Sequence, residues 1–234
     1  MYNEYYPEYL YHYGVKGMKW GVKRAQKLQN KARIARDSAK EWDEMANYAA
    51  QRGKTKRAEK YAAYAKQDLA DANKYQQKAN KKVENRYAKA GKAAGKADYM
   101  SDRAKQVERK HEQGASAFDK MANKYESEGK YLKAEAARSS ANALRARGKN
   151  ASADYHRAAE AYLKQSNKLT KKASEFSSAT NINIGKSKVD SIIASSKQKG
   201  YNNAKAGDEM QREREIESRY GSDALNVYRK IQGK

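Results

Sequence analysis

Cysteine is absent from the 234 residues and proline occurs once, at Pro7. The first absence removes disulfides, thiol nucleophiles and thiolate zinc sites. The second leaves the rest of the chain free of the residue that most disrupts helices. Large aliphatic residues are scarce as well. Leu, Ile, Val and Phe together supply 23 residues, about a tenth of the chain. So low a share, combined with high net charge, is the composition of chains that cannot bury a broad core. No apolar run approaches the ~18 residues of a membrane span. The N-terminus is aromatic and acidic rather than basic-then-apolar, so a secretory signal is not expected and the chain reads as soluble and intracellular. No membrane partner is anticipated.

What is present opposes disorder. Alanine, the best helix former, is abundant, and nineteen tyrosines offer area that the missing leucines do not. Lys and Arg number 51 against 28 Asp and Glu, a net charge of +23. This composition predicts an all-α protein: elongated antiparallel helical hairpins forming a bundle or coiled coil, with a non-helical N-terminal arm.

The apolar pattern supports helices. Ala25, Leu28, Ala32, Ala35, Ala39, Trp42, Ala46 and Ala49 step by three and four along one helical stripe that ends at Gly53. A second stripe runs from Tyr61 through Leu69, Tyr75 and Val83 to Ala90, where Gly91 and Gly95 are expected to break or weaken it. A third runs from Met100 to Tyr125, with a possible kink at Gly114. Shorter stripes follow, from Tyr131 to Leu144 and from Ala151 to Phe176. Tyrosines on these stripes are expected to be core residues first.

Met45-Ala46-Asn47, Gly53-Lys54 and Ala58-Glu59 recur as Met121-Ala122-Asn123, Gly129-Lys130 and Ala134-Glu135. They recur more loosely around Gly148-Lys149. Each copy reads as a helix end, a glycine C-cap and a helix folding back. The spacing is similar to helix-hairpin repeats such as tetratricopeptide units, without all of their large residues.

Four segments result. Residues 1–24 form an aromatic arm with a docking motif, and 25–176 a helical hairpin region. Residues 177–208 are a Ser/Asn/Lys-rich linker with one short helix near 188–195. Residues 209–234 are short C-terminal helices with a turn at Tyr220-Gly221.

Little in the sequence points to catalysis. Thr180 to Ser187 ends like a phosphate-binding loop but lacks its first glycine. His12, His111 and His156 show no metal spacing, and His111 fits the edge of a helix stripe. No enzyme, metal site or cofactor is expected.

The basic excess is the clearest chemical signal. Lys23, Arg24, Lys31, Arg36, Lys56, Arg57, Lys81, Lys82, Lys171 and Lys172 are the residues expected to contact nucleic acid, through phosphates and without sequence preference. Lys27, Lys54 and Lys60 lie among them. No sequence-reading module is recognisable.

One stretch is explained by none of this: His12-Tyr13-Gly14-Val15-Lys16-Gly17-Met18-Lys19-Trp20-Gly21-Val22-Lys23-Arg24. Three glycines oppose a helix and permit close backbone approach. Val15, Met18 and Trp20 are apolar anchors between basic residues, as in a peptide that orders in a partner's groove. The partner-docking residues are therefore placed at His12, Tyr13, Gly14, Val15, Lys16, Gly17, Met18, Lys19, Trp20 and Gly21. The string resembles the H-x-G-V-K-G-M-K-W-G-V-[KR]-[KR] motif of tailed-bacteriophage and prophage proteins, often structural or associated with head morphogenesis. That resemblance implies a phage setting, and combined with the basic charge it predicts a minor virion or head-assembly protein, made in the host cytoplasm and carried in the virion. It would dock on a phage structural protein, capsid or portal, and contact DNA non-specifically. Alternatives are a transient, self-associating scaffold or adaptor, and an accessory factor acting on a host nucleic-acid enzyme.

Overall fold

A computed structural model describes residues 20–232. It contains four α-helices: α1 (Trp20–Gln51), α2 (Thr55–Ser127), α3 (Tyr131–Thr180) and α4 (Lys186–Ile231). Among the described residues there is no strand. The chain is all-α, as its composition requires. The aromatic arm lies outside the described residues.

The residues fall into two compact units, each made of separate chain segments. The first takes 20–86 and 172–186, and the second 87–171 and 187–232.

In the first unit α1 runs antiparallel to the start of α2. Ala25, Ala32, Ala39 and Ala46 are buried at seven-residue steps along α1, and Ala65, Ala72 and Ala79 repeat that step on α2. A heptad spacing keeps one narrow seam facing a partner helix. Methyl groups at those positions let the backbones approach closely, and Val22 and Val83 are the larger side chains that α1 and this part of α2 bury. The end of α3 and the loop after it close the unit with Ala173, Phe176, Thr180 and Ile182, all buried. Trp42 stacks on Tyr61 at 5.7 Å and meets Tyr64 at 5.2 Å near the hairpin end.

The second unit adds close glycine contacts to its buried alanines. An added Cβ on Gly91 would stand 2.6 Å from the Ile193 carbonyl oxygen, and one on Gly200 2.2 Å from that of Lys92. The backbones of α2 and α4 therefore touch. Gly91 and Gly95 do not break their helix, contrary to expectation: α2 runs unbroken for 73 residues, through Gly114 as well. The packing gained at the crossing offsets the helix propensity those glycines lack. Gly148 is likewise not a C-cap. It is buried inside α3, and a Cβ there would stand 2.7 Å from Cβ of His111.

Three further readings need correction. The stretch 177–208 is not mainly a linker, because α4 begins at Lys186 and carries it through to Gly221, where φ is 82°. The turn expected at Tyr220-Gly221 is therefore a break within α4. The tyrosines divide: Tyr87 and Tyr99 are buried, but Tyr48, Tyr64, Tyr131 and Tyr220 are exposed. Alanine supplies most of the core instead. Finally, α1 starts at Trp20, so the last residues of the docking motif are helical.

The repeated glycine turns are real at two of the three positions. Gly53 N–H donates to the Ala50 carbonyl and Lys54 N–H to that of Ala49. Gly129 and Lys130 repeat both bonds with Glu126 and Tyr125. This is the Schellman pattern, which needs a left-handed residue, and φ is 69° and 70° at the two glycines. A third such end closes α3, with Asn181 at φ 51° in the glycine's place.

Candidate nucleic-acid interface

The alanine seam of the first unit determines where its charge goes. With mostly alanine methyl groups inward, the long basic side chains of α1 and α2 project outward. The described residues of this unit hold 20 Lys and Arg against 9 Asp and Glu. The second unit holds 28 against 17, and much of its charge is paired. Arg145 spans Glu112 at 2.8 Å and Asp119 at 2.6 Å, and Lys197 meets Asp98 at 2.7 Å.

Arg24, Lys27 and Lys31 lie on one face of α1, three and four residues apart. With Leu28 and with Lys82 of α2 they line a cleft of about 210 Å³. Lys31 also sits over the Tyr75 ring at 5.5 Å. Among the described residues Lys27, Lys31 and Lys82 form no ion pair, so four cationic side chains converge with no acid lining the cleft. Such a cleft can hold phosphate oxygens and release their counterions.

The structure thus unites three of the expected nucleic-acid residues, Arg24, Lys31 and Lys82, and adds Lys27. It does not unite the rest. Lys23 and Lys81 are exposed on their helices. Arg36 donates to Gln76 Oε1 at 3.3 Å. Lys171 and Lys172 are exposed neighbours on α3, and consecutive helical residues diverge.

Lys56 and Arg57 belong to a separate cluster at the turn between α1 and α2, with Arg52, Lys54 and Lys60. All five are exposed, and none forms an ion pair among the described residues. Tyrosines flank them: Arg52 sits over the Tyr48 ring at 4.5 Å and Lys60 over the Tyr64 ring at 5.7 Å. Arg52 escaped sequence reasoning, as did Lys89, Lys92 and Lys96, which line a second cleft of about 390 Å³ in the other unit. Their signal was spacing along one helix face, which was assigned to apolar residues alone.

Of the docking residues, 12–19 lie outside the described residues and Trp20 opens α1. Gly21 serves this chain's own packing. A Cβ there would stand 2.8 Å from Arg86 Nη2 and 3.6 Å from the Phe176 ring. The Arg86 guanidinium stacks on that ring at 3.8 Å. Val22 is buried beside it.

The loop that ends like a phosphate site is internally satisfied. Thr180 Oγ1 donates to the Phe176 carbonyl at 2.7 Å, and Gly185 N–H donates to Asn183 Oδ1 at 2.8 Å. It follows a helix, not a strand. His111 Nδ1 lies 2.9 Å from the Val107 carbonyl oxygen at the edge of its helix contact. His156 Nε2 lies 3.0 Å from Glu108, which also accepts from the Ser152 hydroxyl at 2.6 Å. The Ser152 bond, then His156, holds the Glu108 carboxyl below its usual range. Among the described residues no acid or histidine cluster could hold a metal ion, and no helix is long and apolar enough to cross a membrane.

Residues 3–27 match a family of unknown function (DUF7211). The match spans the arm, the glycine-rich motif and the opening turns of α1, and leaves the rest of both units unmatched. No curated protein and no solved structure matches the chain.

Proposed function

We propose that this chain is a non-enzymatic minor virion or head-assembly protein of a tailed phage. Residues 12–24 attach it to a capsid or portal protein, and its basic helices hold DNA without sequence preference. The observation that carries this reading is that one helix serves both ends of it. The motif runs into α1, and Arg24, Lys27 and Lys31 continue from it into the cationic cleft with Lys82. A particle interior supplies the negative charge that offsets self-repulsion in a chain of net charge +23.

The transient scaffold remains the second reading because large apolar side chains stand on the surface. Leu132 is 84% exposed and Ile231 76%. Such residues favour self-association.

Mass spectrometry on purified, nuclease-treated particles tests the first reading, with wild type beside a deletion of 12–24. The protein is expected in the first and not in the second. Absence from both particles overturns the virion assignment in favour of the scaffold.

A further inference from the structure

The two hairpin turns provide an internal comparison. Turn 53–54 and turn 129–130 make the same pair of backbone hydrogen bonds at the same φ. Their side chains differ. At the second turn the cations meet acids: Lys130 pairs with Glu128 at 2.6 Å, and Arg138 with Glu126. At the first, Arg52, Lys54, Lys56, Arg57 and Lys60 have no such partners among the described residues, although the fold accommodates glutamates at an equivalent turn. Lysine and arginine at this density repel one another, and nothing in the backbone requires them.

Aromatic faces lie beside these charges. Tyr48 is 56% exposed and Tyr64 38%, and the Trp42–Tyr61 stack holds Tyr64 from behind. Duplex DNA offers phosphates but no free base faces. Single strands offer both, and sequence-independent single-strand binding combines a basic track with aromatic stacking. Cations already resting on tyrosine rings extend that platform.

We infer that the α1–α2 turn is a single-stranded nucleic-acid contact. Arg52, Lys54, Lys56 and Arg57 engage phosphates, and Tyr48 and Tyr64 stack on bases. This deepens the proposed DNA contact and rests on it.

The test is fluorescence anisotropy with full-length protein and a labelled oligothymidylate, beside a duplex of equal length, across a salt series. One variant carries R52Q, K54Q, K56Q and R57Q. A control with the same charge change carries K120Q, K124Q, K133Q and R147Q, all exposed residues of the other unit. A third is Tyr48→Ala. Circular dichroism confirms that each retains its helices. The turn variant should lose at least tenfold in affinity for the single strand, its log–log salt slope falling by about 3 at ~0.7 per phosphate contact. The control should bind nearly as wild type. Tyr48→Ala should lose roughly tenfold on the single strand, with duplex binding and salt slope unchanged. Equal losses in the two charge variants overturn the assignment to this turn while leaving the general DNA contact standing. No effect of Tyr48→Ala, or a preference for duplex, overturns the single-strand claim. Absence of binding by wild type at low salt overturns both this inference and the DNA contact it rests on.

Discussion

Gly95 and Lys197 meet backbone to backbone: a Cβ on the glycine would stand 1.9 Å from the lysine's carbonyl oxygen. No rotamer change can relieve that clash, because the obstructing atom belongs to α4 itself. Gly95→Ala and Gly200→Ala should therefore each destabilise by about 2 kcal/mol or more, despite alanine's better helix propensity. Gly207, on the same helix as Gly200, has open space where its Cβ would go. Gly207→Ala should stabilise by up to about 1 kcal/mol. Urea denaturation of the three variants checks the contrast, and equal shifts for Gly95 and Gly207 would refute the close crossing.

Alanine in the first unit is a fitted size and not a default. Ala32→Leu and Ala72→Leu add hydrophobic area at positions with no exposure. They should nonetheless destabilise by about 1–3 kcal/mol, since the helices cannot separate without opening the whole seam. A rise in melting temperature for either variant would mean that the seam is loosely packed.

The caps form a graded series. Gly53→Ala and Gly129→Ala place a Cβ in the left-handed region and should each cost about 1–2 kcal/mol. Asn181 already bears that conformation with a side chain, so Asn181→Gly should be neutral or stabilising by less than about 1 kcal/mol. Thermal unfolding by circular dichroism ranks the three.

Tyr99 is buried, and its hydroxyl donates to Asp208, which also faces Arg103 at 3.2 Å and pairs with Arg212. Burial, then the bond to Asp208, raises the hydroxyl above its ordinary value of 10.0. The folded chain therefore holds this proton more tightly than the unfolded one. Its contribution is full below about pH 10 and is lost as pH rises through the higher folded value. Tyr99→Phe should cost about 1–2 kcal/mol at neutral pH. The variant's stability should also fall less steeply than wild type above pH 10, where the lysines of both proteins titrate alike. Parallel curves would show that the hydroxyl bond adds nothing.

Much of the fold was legible because it is written in local spacing. Alanines at three- and four-residue steps located the helices, and Gly53 and Gly129 marked two hairpins. What remained hidden depended on contacts distant in sequence. Gly91 and Gly95 look like helix breakers until Ile193 and Lys197, about a hundred residues later, lie against them. The Tyr99–Asp208 pair has the same character. The 177–208 stretch is rich in serine and asparagine and reads as a linker, because its helix is stabilised by close backbone packing instead of a wide apolar face. In the candidate site, cationic residue types were evident, but their sorting was not. Arg24 and Lys82 converge only because α1 and α2 are antiparallel, and the contrast between the two turns appears only once their backbones prove alike.

The division of each unit between separate chain segments has a consequence for cutting and for synthesis. Ala173, Phe176, Thr180 and Ile182 complete a core whose other residues precede position 87. A fragment ending before residue 172 would contain every residue of the α1–α2 hairpin and still lack the Phe176 ring that packs at its open end, beside Gly21 and Arg86. On the ribosome the open end of that hairpin is completed only after α3 has emerged. A protease nick between 181 and 185 would leave parts of both units in each product, so the two pieces should co-purify as one folded particle until denatured.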